Sequence, residues 1–364
     1  MLLIIGAIVF AVLVYSAICF YIGYNGWVWL KAKNPKNLIL WKKFYIVVVI
    51  CLSLSVFAGQ LLPIYLFKII SGLWLAVVGY SLIILPLTNL LVYFLKKRSI
   101  IWAGNLVGLF YLFVLIYGSF LAWNPIIHTF DIEVDKTAGD RKELKVLMAS
   151  DIHAGVLVGN DHLEKLVSIA KKENPDIILI PGDLIDDYIE PYLKQNMGEV
   201  MAKLDAPLGV YAVLGNHDYY GEDTKEILTE MEKVGITVLM DEWVKVEDIY
   251  LIGRKDPTDE SRQQLKKYLI GLDKSKPLIM MDHQPIDFSE ASKQGIDVML
   301  SGHTHKGQLF PASIVTNLLY ENDYGYEKME QLHTFVSSGF GVWGPPLRLG
   351  SQSEVFVINL TFTR

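Results

Sequence analysis

Residues 143–155 read ELKVLMASDIHAG. Charged Glu143 and Lys145 give way to a short apolar run, Val146–Ala149, of strand length, and an Asp-x-His triplet, Asp151-Ile152-His153, follows at its carboxyl end. The construction recurs along the chain. Ile177–Ile180 leads into Gly182-Asp183, and Val210–Leu214 into Gly215-Asn216-His217-Asp218. Leu278–Met281 leads into His283, and Val298–Leu300 into Gly302-His303-Thr304-His305. Open α/β sheets bind ligands just beyond the carboxyl ends of their strands, so these side chains are expected to converge on one rigid edge. Further strand-like runs are Ile236–Leu239, Ile249–Ile252, Thr334–Val336 and Val355–Leu360. Helical patterns lie between them: Asp161–Lys172 carries Leu163, Leu166, Val167 and Ile169 on one face, and Asp223–Val234 is stopped by Gly235. The alternation predicts a layered α/β domain over residues 143–364, a β-sandwich flanked by helices.

Upstream the texture is different. Mean hydropathy over the 364 residues is +0.33, and most of the charge lies after Phe130. Four stretches, 2–24, 44–67, 69–95 and 100–123, contain no Asp, Glu, Lys, Arg or His. Each reaches the roughly 20 apolar residues that cross a bilayer. They predict a four-helix transmembrane region over 1–124, joined by a connector, 125–142, to the α/β domain. The first stretch has no basic residue before it and is too long for the apolar core of a signal peptide. The net charge of −6 gives no argument for nucleic acid as a partner. The two cysteines, Cys19 and Cys51, both fall in apolar stretches, which leaves the α/β domain without a disulfide framework or a thiolate metal site.

The residue types at the five strand ends share a chemical sense. Carboxylate, imidazole and amide oxygen form a mixed oxygen and nitrogen donor set, suited to manganese, iron or zinc. Asp151/His153 and His303/His305 alternate at i and i+2, a spacing that points two side chains the same way from an extended segment. Alone, each element is weak: a single Gly-Asp is usually a turn, and a single histidine after a strand is usually structural. Their common order and placement are what make them one site.

This pattern, D-x-H, G-D, G-N-H-[DE], H and G-H-x-H, resembles the calcineurin-like metallophosphoesterase superfamily, over roughly Lys145–Leu360. It is most similar to the bacterial membrane-associated branch containing YkuE-like proteins and relatives of UDP-2,3-diacylglucosamine pyrophosphatase, through residues 151–155, 301–305 and 341–350. Lys306 stands where that branch often has glycine, which bears on substrate preference. The resemblance implies two divalent metal ions, manganese foremost and iron, zinc or magnesium as alternatives, bridged by Asp183. One ion would take Asp151, His153 and His305, and the other Asn216, His283 and His303. His217 would face the leaving-group oxygen, with Asp218 orienting it. Two divalent ions about 3.5–4 Å apart acidify a bridging water and clamp both oxygens of an in-line displacement, which fits phosphoester hydrolysis.

The expected activity is therefore hydrolysis of a phosphodiester or pyrophosphate at a membrane surface. The partners would be the lipid bilayer and a phosphorylated envelope lipid or polymer. A non-catalytic membrane sensor is the rival from another class, and the full ligand set argues against it. A transporter is disfavoured by the absence of intramembrane charge. Arg254, Lys255 and Arg262 form a basic group that reads either as a phosphate holder or as a solvated face. Phe340, Trp343 and Pro345-Pro346 read either as a pocket lining or interface element, or as core. His128, His162 and His333 match no motif. Orientation follows the bias of basic loops. Lys31, Lys33, Lys36, Lys42 and Lys43 follow the first stretch, and Lys96, Lys97 and Arg98 the third, whereas only Lys68 follows the second. Placing the basic loops in the cytoplasm puts the hydrolase domain outside. A cytoplasmic domain would instead suit a UDP-diacylglucosamine-type substrate.

Overall fold

The computed structural model describes residues 2–33, 36–62, 64–95 and 99–364, with backbone alone at residues 2–4. The chain divides into two compact units, one of residues 1–119 with 344–347 and the other of residues 120–343 with 348–364.

Helices α1 (Leu2–Ala32), α2 (Leu38–Leu61), α3 (Tyr65–Leu95) and α4 (Ile100–Trp123) are each long and apolar enough to cross a membrane. Their limits differ from the charge-free stretches. Helix α1 runs on past Tyr24 to Ala32 and carries Lys31 in its last turn, and α2 takes in Lys42 and Lys43. Long basic side chains near a helix end keep their heads in water while the backbone continues. Lys68 falls in the first turn of α3 and does not separate two spans. Proline disfavours helical φ/ψ in the residue before it. Leu62, which precedes Pro63 in the sequence, is accordingly extended at φ −121°, ψ 112°. Pro63 and the basic triplet Lys96, Lys97 and Arg98 lie outside the described residues. Several polar side chains within this unit find partners inside it, which offsets the cost of holding them away from water. Trp74 Nε1 donates to Tyr15 Oη at 3.0 Å, and Tyr15 Oη donates to the Ser53 carbonyl at 2.8 Å. Asn89 Nδ2 donates to Tyr21 Oη at 2.7 Å. Phe10 and Phe20 are exposed, as side chains meeting lipid would be.

The second unit holds two six-stranded mixed sheets. Its strands are β1 (Ile126–Val134), β2 (Glu143–Met148), β3 (Ile177–Pro181), β4 (Val210–Val213), β5 (Ile236–Val238) and β6 (Glu242–Val246). They continue with β7 (Ile249–Gly253), β8 (Leu278–Met281), β9 (Val298–Ser301), β10 (Gly325–Met329), β11 (Leu332–Val336) and β12 (Glu354–Phe362). One sheet runs β1-β12-β2-β3-β4-β5 and the other β10-β11-β9-β8-β7-β6. Successive residues of a strand face opposite ways, and here both faces are apolar. Val146, Met148, Ile177 and Leu179 meet Ile279, Met281, Val298 and Leu300 between the sheets. Leu147, Ile178 and Ile180 face the other way, onto Leu163, Leu166 and Val167 of α5 (Asn160–Glu173). Leu278, Met280 and Met299 pack outward on Leu265, Phe288 and Ala291. The result is a helix–sheet–sheet–helix stack, the expected sandwich with helical flanks.

Every strand-like run of the sequence is a strand. Three further strands are β1, β6 and β10, each at a sheet edge. The first half of the expected connector is thus β1, which pairs in parallel with β12, Ile126 opposite Glu354 and Val134 opposite Phe362.

Candidate metal centre

The loops after β2, β3, β4, β8 and β9 carry the five motifs, and they bring all seven expected ligand residues together. His153 Nε2 lies 3.1 Å from His305 Nε2, and His305 Nε2 lies 3.4 Å from Asp151 Oδ1. A second group forms around Asn216 Oδ1, with His303 Nδ1 at 2.8 Å and His283 Nε2 at 3.2 Å. Asp183 stands between the groups, its Oδ2 3.6 Å from His153 Nε2 and 3.2 Å from His283 Nε2.

Backbone contacts aim these atoms. His283 Nδ1–H donates to the Pro181 carbonyl at 2.9 Å, which leaves Nε2 for the site. Asn216 Nδ2 donates to Tyr220 Oη at 2.9 Å, which turns its Oδ1 inward. The amides of His303 and His217 donate to Asp151 Oδ1 and Asp183 Oδ1, both at 2.9 Å. The backbone itself differs from the extended segments expected: Asp151, His153, Asp183, His303 and His305 have φ of 51°, 49°, 52°, 70° and 47°. Left-handed φ at such residues costs of order 1–3 kcal/mol each and persists where the surroundings impose it. Two glycines leave room for the carboxylates. A Cβ on Gly302 would lie 2.1 Å from Asp151 Oδ2, and one on Gly215 would lie 2.2 Å from Asp183 Oδ1.

The donor set fits divalent cations. Asp151 and Asp183 are buried, and among the described residues neither has a Lys or Arg at ion-pair distance. Asp151 Oδ2 and His153 Nδ1 are buried without a hydrogen-bond partner. Buried anions without compensating positive charge are costly. Burial raises the Asp151 carboxyl to about 6. It lowers the His153 imidazole to about 3 and that of His303 to about 4, and pushes His305 down as well. These imidazoles are therefore neutral at pH 7, the form that binds metal. Burial opposes a charge on His283, but neighbouring Asp183 outweighs it and raises its pKa.

His217 sits beside these ligands, its ring centroid 4.7 Å from that of His153. Its Nδ1–H donates to Asp187 Oδ1 at 2.6 Å. Burial pulls its pKa down, but the Asp187 hydrogen bond and the charges of Asp183, Asp187 and Asp186 prevail and hold it at about 9. Asp218 was expected to orient this ring and does not. Fully buried, it accepts from the amides of Gly215 at 2.8 Å, Ile185 at 2.9 Å and Leu184 at 3.2 Å. It ties the Asp183 loop to the Asn216 loop. Asp187 has no signal in the sequence beyond following Asp183, since its partner comes from another loop.

Arg348 was also missed. It is fully buried, and it donates to the carbonyls of Ser338 at 2.7 Å, Gly339 at 3.0 Å and Gly341 at 2.6 Å. Its Nη2 lies 3.3 Å from His305 Nδ1. The segment it holds backs Asp151, because the amides of Phe340 and Gly341 donate to the Ser150 and Asp151 carbonyls, both at 2.8 Å. Arg348→Met should lower the thermal midpoint markedly: each buried carbonyl left without a donor costs about 1–3 kcal/mol. An unchanged midpoint in a melting curve would show that the arginine is dispensable.

Arg254 and Arg262 are neither solvated nor free. Both pair with the buried Asp282 next to His283, at 2.9 Å from Arg254 and 2.7 Å from Arg262. Phe340 is core, against His162 at 4.3 Å between ring centroids. Trp343 is about half exposed, with its ring 5.8 Å from that of His217.

Residues 144–307 match the family described as calcineurin-like phosphoesterase. The chain is 33% identical over 244 residues to a metallophosphoesterase of Aquifex aeolicus, a match covering 64% of this chain and 91% of that protein. It is 34% identical over 254 residues to a transmembrane protein with metallophosphoesterase domain from Danio rerio, covering 65% of this chain and 57% of that one. A metallophosphoesterase of Helicobacter pylori is 34% identical over 225 residues, 60% of either chain.

Proposed function

Because the chain belongs to the calcineurin-like phosphoesterase family, a family of metal-dependent phosphoester hydrolases, we propose that it is a membrane-anchored hydrolase using two divalent cations, manganese foremost, to cleave a phosphodiester or pyrophosphate at the membrane surface. The observation that carries this reading is Asp183, a buried carboxylate set between two groups of nitrogen and oxygen donors. Asp151, His153 and His305 would hold one cation and Asn216, His283 and His303 the other, with Asp183 shared. Cations there would offset the charge of the phosphoryl oxygens and acidify water.

The remaining chemistry belongs to His217. Its Nδ1–H is committed to Asp187, so Nε2–H is the proton it can give to the departing oxygen. Asp187 fixes the ring's orientation and favours its charged form. Asp218 contributes by holding the Asp183 and Asn216 loops in register. The mixed donor set, with no thiolate, supports manganese, iron, zinc or magnesium as occupant. The finer likeness to the YkuE-like branch rests on residues 151–155, 301–305 and 341–350. Turnover of bis-p-nitrophenyl phosphate by purified full-length protein, lost on chelation and restored by Mn²⁺, tests the reading. A metal-loaded protein inert toward phosphoesters would refute it.

The basic residues between the spans support an extracytoplasmic hydrolase domain, and with it a phosphorylated envelope lipid or polymer as substrate. Alkaline phosphatase fused after Arg364 should then be active. A fluorescent green-protein fusion with no phosphatase signal would place the domain in the cytoplasm and favour a UDP-diacylglucosamine-type substrate.

A further inference from the structure

The helix Ala312–Leu319, which follows the His303–His305 loop, is built inside out. Ile314, Val315, Leu318 and Leu319 are 55%, 55%, 80% and 72% exposed. At about 100° per residue they share one arc of the helix. The opposite arc, Ser313, Thr316 and Tyr320, is the half-buried one. Its polar groups face the domain. Thr316 Oγ1 donates to Asp323 Oδ2 at 2.6 Å, and Thr304 Oγ1, between the two histidines of the metal-centre loop, donates to the Asp323 carbonyl at 2.7 Å. A helix on a water-facing domain buries its apolar stripe and shows its polar one. Here the order is reversed, no residue of the helix is charged, and exposed Phe310 extends the patch.

The chain itself points to what covers this surface. The hydrolase unit begins at Phe120, inside α4, and β1 begins at Ile126. Only residues 124–125 lie between that last membrane-length helix and β1, so the chain tethers the domain closely to any bilayer the helix enters. An eight-residue helix is about 12 Å long, too short to span and suited to lying in the headgroup region. The ring of Tyr320, which caps this helix, is 6.1 Å from that of His303. We propose that Phe310 and the helix Ala312–Leu319 insert into the bilayer surface and hold the metal centre at the depth of lipid phosphates. The second half of this proposal rests on the hydrolase reading above, and the first half does not.

The test uses the full chain in phosphatidylglycerol/phosphatidylethanolamine nanodiscs. An environment-sensitive NBD fluorophore is placed at Leu318→Cys in a Cys19→Ala/Cys51→Ala background, with Ser275→Cys as an exposed control. The fluorophore at 318 should emit to the blue of the control and be quenched by lipids carrying a doxyl group near the headgroup. Emission matching the control overturns the insertion. So does a blue shift without lipid quenching, which would mean that a second copy covers the patch. The second arm keeps the native cysteines and needs no label. Leu318→Glu/Leu319→Glu should turn over water-soluble bis-p-nitrophenyl phosphate within about twofold of wild type. On hexadecyl p-nitrophenyl phosphate held in the nanodisc it should lose about tenfold, the equivalent of ~1.4 kcal/mol. Equal rates on both diesters overturn the positioning role. If wild type cleaves neither, the hydrolase reading falls, and the quenching arm still decides the insertion.

Discussion

Asp183→Asn is expected to abolish hydrolysis and deplete bound metal while the chain stays folded. Asparagine keeps the shape of the side chain and can still accept the His217 amide, so the fold of the loop is preserved. The charge is what disappears. Asp183 Oδ2 faces His153 on one side and His283 on the other, at 3.6 and 3.2 Å, so both donor groups lose their common anion. Removing one preorganised electrostatic contact to a transition state costs about 10²–10³ in rate, and weakening two cation sites at once should exceed that. His303→Ala should also stop turnover, but through one group only. Elemental analysis of metal per chain, read beside bis-p-nitrophenyl phosphate turnover, separates the two. Near-normal turnover of Asp183→Asn with both metals bound would dismiss the shared-ligand role.

His217→Ala should behave differently. Metal content should hold, because His217 is outside the proposed ligand set, while the rate falls by about 10²–10⁴ as expected for a lost general acid. The deficit should shrink for p-nitrophenolate, which departs without a proton, and be largest for an alkoxide. Asp187→Asn should give a weaker version of the same phenotype. Without the Asp187 charge the imidazolium is less favoured, so the alkaline fall in rate should move to lower pH. Asp218→Asn should instead act on stability, since Asp218 binds three backbone amides and not the ring. Equal losses for His217→Ala across leaving groups would remove the acid role. A phenotype for Asp218→Asn matching that of Asp187→Asn would return the orienting role to Asp218.

Much of this protein is legible from residue order. A run without charge as long as a bilayer is thick has few folded alternatives, so the helical region is visible from composition. The central strands are visible for a related reason: they are covered on both faces, so Ile177–Ile180 or Leu278–Met281 is apolar at every position. A motif at the end of such a strand has its place in the site determined by the strand. That is why the seven candidate ligands could be named from sequence and come together here.

The tertiary structure decided whatever depends on a distant partner. Strands β1, β6 and β10 lie at sheet edges and are half exposed, and charged residues such as Glu242, Lys245 and Lys328 break their apolar pattern. Pairing with β12, 228 residues away across Asn359 and Asp131, makes β1 a strand. The carboxylate on His217 is Asp187 and not the expected Asp218 for the same reason. Asp218 is its neighbour in sequence, but the turn after Asn216 sends that carboxylate to the Gly215, Leu184 and Ile185 amides, and Asp187 reaches the ring from another loop. Arg348 reads as one basic residue near the end of the chain, and only its burial under Ser338–Gly341 makes it a support of the site. Sequence determines what a segment can do by itself: span a bilayer, form a buried strand, offer a donor atom. Which atom meets which is set by contacts between segments, whose free energy no single segment contains.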